Sequence, residues 1–198
     1  VARGAALMTG TSVEMQVVSA VSNMLGNRVM ESTMQAALEE LGGVTFDDAD
    51  RAYAAAIQAT LTPEEIATPY KVVAMAPRKD EPLCDYLVPL YPHGEVLIGS
   101  TDVADVSWKV PLVQALVATH AIGSPGHSWQ ITAQGKAPAA HKGMVHAAKA
   151  MARCAEMLIE DAALLASAKA EHRDRLAAKP YTCPLPAGIA PPLQPRPE

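Results

Sequence analysis

The chain has 198 residues, of which 49% are hydrophobic and 4% aromatic, and its formal charge is −5. That length suits one generous domain or pieces of two, with a core resting on Ala, Leu, Val and Met rather than on rings. The acidic balance leaves no basic face to hold phosphates, which argues against nucleic acid, and no apolar run approaches the ~20 residues of a membrane span.

In chain order, Ala2–Gly10 is small, apolar and closed by glycine, like the last turns of a helix whose beginning is absent. Ser12–Ala20 alternates, with Val13, Met15 and Val17 on one face, and reads as a half-buried strand. Asn23–Asn27 is a turn or hinge, and Asn27 caps a helix through Gly42. A second helix spans Asp47–Ala59, and Thr62-Pro63-Glu64-Glu65 starts a short third one. The prolines and charges of Pro69–Leu83 predict an irregular excursion. Strands are expected at Asp85–Leu90 and at Glu95–Gly99, after the turn Pro92-His93-Gly94. Val110–Ile122 shows no alternation, so it reads as a third strand buried on both faces. From Ala139 the pattern is helical, with Met144, Ala148, Met151, Ala155, Leu158, Ala162 and Leu165 forming one apolar stripe and a break expected near Asp161. The proline-rich end from Pro184 reads as extended.

The three cysteines, Cys84, Cys154 and Cys183, are widely spaced and show no CxxC. They read as reduced structural thiols of a cytoplasmic protein.

The residues suited to chemistry gather between Gly99 and His141, which hold three of the six histidines and both tryptophans. His127 sits in Gly123-Ser124-Pro125-Gly126-His127-Ser128-Trp129, straight after the expected buried strand, where ligands of α/β sheets collect. A loop histidine facing solvent fits the same pattern. Asp102, in Gly99-Ser100-Thr101-Asp102, either orients such a histidine or, with Asp105, serves a turn or helix cap. His141 could donate to a substrate carboxylate or simply occupy the first helical turn. His120 fits a satisfied core position, and His93, His146 and His172 fit turns or helix surfaces. A catalytic zinc needs three protein ligands. His127 with one or two aspartates falls short, and no HExxH, GxSxG or P-loop is present.

Five motifs carry a resemblance: Gly4–Thr11 (GAALMTGT), the following Leu-Gly-Asn at 25–27, GSTDVADVSW, AIGSPGHSWQ and APAAHKGM. Together they resemble the C-terminal part of the aminobenzoyl-glutamate utilisation protein B-like amidohydrolases. Those proteins sit in the metallopeptidase family of aminoacylases and glutamate carboxypeptidases, and the likeness runs to about Cys183. It implies an α/β fold, the C-terminal part of a mixed-sheet, helix-flanked catalytic domain preceded by the last helix and strand of a small inserted lid. Residues 1–22 would end the lid or dimerisation domain, 23–183 would form the C-terminal half of the catalytic domain, and 184–198 a Pro-rich tail.

By the same resemblance His127 matches the last metal-binding histidine. Ser100 and Asp102 line the pocket, with Thr101 where relatives carry Glu, and His141 is a second pocket candidate. The implied reaction is hydrolysis of the amide of an N-acyl or aminobenzoyl amino acid, a folate catabolite, by water activated at two divalent metals, zinc or manganese. The implied partners are a small-molecule amide substrate, a missing N-terminal half carrying the general-base glutamate and the other ligands, and a second copy in a homodimer. The alternative is a catalytically inactive truncated remnant.

Overall fold

The computed structural model describes residues 1–90 and 101–189. Eight helices occur among them: α1 (Ala2–Thr9), α2 (Arg28–Leu41), α3 (Asp48–Gln58), α4 (Pro63–Val72), α5 (Val103–Ser107), α6 (Trp129–Gln134), α7 (Pro138–Glu160) and α8 (Ala162–Ala178). Helix α2 packs on both α7 and α8, which also pack on each other.

The helix ends follow local chemistry. Asn27 accepts from Met30 N–H and caps α2. Asp47 with Asp50 and Thr62 with Glu65 form capping boxes at α3 and α4. Asp161 closes α7 and, through Oδ1, caps α8 by accepting from Ala163 and Leu164 N–H, so the expected break falls on that residue. Glycine ends α1 and α2 at Gly10 and Gly42. Helix α4 runs through Pro69 to Val72, taking in the first four residues of the stretch expected to be irregular.

The mixed-sheet α/β expectation is overturned: no strand occurs among the described residues. Glu95–Gly99 and Ser100 lie outside those residues, as do Pro92-His93-Gly94 and most of the proline-rich end. Residues 12–20 carry no ladder, and Val13, Met15 and Val17, expected to face a core, are exposed. Residues 85–90 are irregular. The run from Pro111 to Thr119 is irregular too and makes no backbone hydrogen bond among the described residues. It is not buried on both faces either. Val113 and Ala115 lie against the cluster of Met34, Ala37, Ala150 and Cys154. Val117 and Ala118 lie against Val44, Phe46, Ala54, Ile57, Leu83, Ala121 and Ala139. Gln114 and Leu116 point outward. An apolar run becomes a strand only when a neighbour takes its N–H and C=O groups, and helices supply the cover here.

The stripe expected on α7 is also displaced. Its buried residues are Ala139, Gly143, Ala150 and Cys154, the last three one position back from Met144, Met151 and Ala155, or about 100° round the helix, while Leu158 of the stripe does pack on the core. Close approach decides the face. A Cβ on Gly143 would stand 2.0 Å from the Ala118 carbonyl oxygen, so the small residues face inward and Met144 and Met151 remain about 60% exposed.

Two polar ties complete the packing. Lys142 of α7 pairs with Asp47 and Asp50 at the head of α3, and Arg153 pairs with Glu40 of α2. No helix among the described residues is long and apolar enough to cross a membrane.

Candidate functional site

The run from Pro111 ends in a turn whose shape is set by side chains rather than by a ladder. Ile122 N–H donates to the Pro82 carbonyl at 2.9 Å, and Gln58 Nε2 donates to the Ile122 carbonyl at 3.0 Å. Gly123 follows at φ +92°, where a Cβ would stand 2.6 Å from Ile66 Cα of α4. Only glycine combines that torsion with that approach. Ser128 Oγ donates back to the Pro125 carbonyl at 2.6 Å and caps α6 by accepting from Ile131 N–H.

Within this turn His127 stands at φ +59°, a left-handed conformation uncommon for residues with a Cβ. Its side chain is exposed and makes no hydrogen bond or ion pair among the described residues. The surroundings therefore hold the backbone in an uncommon state while leaving both imidazole nitrogens free of those residues. Strain that presents a reactive group is frequent at functional sites, and the inference runs from the observed outlier to the role.

The other expected residues fall in contrasting settings. Asp102 precedes α5, is exposed and caps nothing through its side chain. No hydrogen bond joins it to His127 among the described residues. His141 lies exposed in the first turn of α7. His120 is half-buried with Nδ1 3.0 Å from Thr119 Oγ1, and burial pushes its pKa below the ordinary value. His146 lines an apolar recess between α2, α7 and residues 113–118.

Two residues turn out to be structural. His172, expected on a helix surface, is buried, and its Nε2 donates to the Ser107 carbonyl at 2.9 Å. Asp105 accepts from Tyr181 OH at 2.8 Å and from Ser22 N–H at 3.1 Å. The Tyr181 hydroxyl, then burial working the other way and the Ser22 amide, leave its carboxyl below the usual range. Trp108 Nε1 donates to the Asn23 carbonyl and Leu25 N–H donates to Ser107 Oγ, both at 2.7 Å, so residues 22–25 are fastened to α5.

Sequence reasoning missed the glutamines, Gln58, Gln130 and Gln134, that support the turn. Their one sequence signal is position. Gln130 and Gln134 stand four apart in a segment short enough to pass for loop, yet both are buried.

Among the described residues no group of three or more His, Cys, Asp or Glu could hold a metal ion. His127 fits a metal as a single free imidazole, but one donor does not fix an ion that needs three or more protein ligands. The donor set among these residues therefore does not make a metal centre by itself. What the arrangement offers is one preset imidazole on the rim of a rigid turn.

No family model matches the chain, and no solved structure matches it. It is similar to one of the subunits of the p-aminobenzoyl-glutamate hydrolase of Escherichia coli (strain K12), at 38% identity over 202 residues. The match covers 96% of this chain and 42% of that protein, so the chain spans well under half its relative's length. The resemblance read from the five motifs is borne out.

Proposed function

We propose that this chain forms one wall of the active site of an aminobenzoyl-glutamate hydrolase, with His127 as its metal ligand. The likeness over 96% of the chain to a hydrolase subunit supports this most directly. The free imidazole of His127, held at φ +59° on a braced turn, is what a site residue needs. The reaction is cleavage of the amide joining the aminobenzoyl group to the amino acid. The proposed cofactor is divalent metal, zinc or manganese, two per complete enzyme. The donor set among the described residues makes no metal centre by itself, and their proposed part is to present His127. The other ligands and the general-base glutamate come, in this reading, from polypeptide beyond these 198 residues. Ser100, Asp102 and His141 are, with His127, the proposed pocket residues, and a second copy completes a homodimer.

A complementation assay tests the reading. The chain is co-expressed with the part of the E. coli relative that it does not span, and release of p-aminobenzoate from p-aminobenzoyl-glutamate is followed. Hydrolysis is expected in the mixture and not from the chain alone. His127→Ala lowers it more than about 100-fold, beyond the 10–100-fold typical of residues one shell further out. A folded, associated mixture without hydrolysis sinks the reading in favour of an inactive remnant, and full activity in His127→Ala removes that residue's role.

A further inference from the structure

Gln134 is the last residue of α6 and only 3% exposed. Its side-chain amide faces back into the turn that carries His127. Oε1 accepts from Ala121 N–H at 2.7 Å, where the turn begins. Nε2 donates to Ser124 Oγ at 3.0 Å, in the middle of the turn, and to the Gln130 carbonyl at 3.0 Å, in the helix that the turn enters. One buried amide therefore spans from the entry of the turn to its exit.

The other supports span less of the turn: Ser128 Oγ, next to His127, ties the Pro125 carbonyl to the Ile131 N–H. Gln58 holds the Ile122 carbonyl. Gln130 Nε2 reaches only Thr60 Oγ1, at 3.4 Å. Every one of these bonds stops short of His127, which has none among the described residues. A left-handed residue with no bond of its own keeps its conformation only if its flanks are fixed. Gln134 fixes both flanks at once.

We infer that Gln134 is the positioning residue for His127, presetting the turn so that the free imidazole keeps one direction. This inference rests on the reading above, in which His127 is a metal ligand of the active site. Gln134 touches no reacting atom, so it works only through the turn. An apolar side chain of equal length would fill the same space and leave Ala121 N–H, itself buried, without an acceptor. Glutamate would keep that acceptor and lose both donors.

The test uses Gln134→Met and Gln134→Glu in the full chain, with histidine labelled at Cε1 and the His127 signal assigned by its loss in His127→Ala. Amide exchange is measured at residues 121–128. In Gln134→Met, Ala121 is expected to exchange about tenfold faster or more, and the His127 resonance to broaden. In the complemented enzyme kcat falls about 10-fold or more while KM stays within about twofold. Gln134→Glu keeps Ala121 protection but, without the donors to Ser124 and Gln130, leaves the His127 resonance broadened and kcat low. Unchanged exchange and an unchanged His127 signal in Gln134→Met overturn the inference. So does a parent-like His127 signal in Gln134→Glu, which lacks the donors to both flanks. Should Gln134→Met fail to fold, Ser124→Ala removes one bond of the same amide, and an unshifted His127 signal there overturns it equally. Exchange and resonance are read on the chain alone, so they decide Gln134's role even if complementation gives no hydrolysis; that second failure belongs to the functional reading.

Discussion

The clamp around α5 and the turn before α6 contain the same kinds of residue in opposite states. In the clamp the aspartate, histidine and tryptophan that tie α5 to its neighbours are all occupied, unlike Asp102 at its edge. Asp105 holds Tyr181 and Ser22, His172 holds Ser107, and Trp108 holds Asn23. In the turn the supports are glutamine and serine, and the histidine they surround is free of the described residues. The difference separates building residues from working ones. A buried histidine or aspartate must find partners to offset its desolvation, whereas a working group is kept without partners so that it can take one from substrate or metal.

Removing a clamp residue should therefore cost stability and leave the turn intact. Trp108→Ala deletes a ring that is 5% exposed, bonded through Nε1 and tilted against Tyr181 at 5.8 Å between centroids. It should lower unfolding free energy by about 3–5 kcal/mol in urea melts. His172→Leu leaves the fully buried Ser107 with a carbonyl that has lost its donor, at a cost of about 1–3 kcal/mol. In both variants the amide exchange of residues 121–128 should match the parent once global unfolding is allowed for. Coupled loosening of the turn would break the comparison.

A smaller effect comes from His120, where the run meets the turn. Burial lowers its pKa, so the unfolded chain takes up a proton first as pH falls. The group's contribution is present above the unfolded value, about 6.5, and is lost as pH drops through the lower folded value. Melting temperature should decline on acidification below about pH 6.5, and His120→Asn should flatten that decline. An identical slope in the variant would mean that other groups carry it.

The parts of this fold that a reader of sequence can recover are those decided within a few residues. Asn27, Asp47, Thr62 and Asp161 mark helix ends because a cap needs only its own amides. Val110–Ile122 reads as a strand because its apolar run is real, but strand formation depends on a neighbour far along the chain. The face of α7 is misplaced because periodicity weighs methionine above alanine, while the approach of Ala118 to Gly143 selects the small residues. Helices α5 and α6 have five and six residues, too short for any period to show. His127 is legible from Gly-Ser-Pro-Gly around it; its support by Gln134 is not, since nothing local says which way that amide faces.

The mildest substitution sharpens the comparison most. His127→Gly removes an exposed ring that has no polar partner among the described residues and places glycine where φ is +59°. A left-handed residue with a Cβ costs about 1–2 kcal/mol, and glycine's greater freedom when unfolded returns about 0.5–1 kcal/mol of that. The variant should be as stable as the parent or up to about 1.5 kcal/mol more stable, while complemented hydrolysis falls more than about 100-fold. Stability and activity moving in opposite directions at one residue is the mark of a group retained for work rather than for folding. A loss of stability in His127→Gly would mean that the imidazole has a structural partner, and the turn would then belong with the clamp.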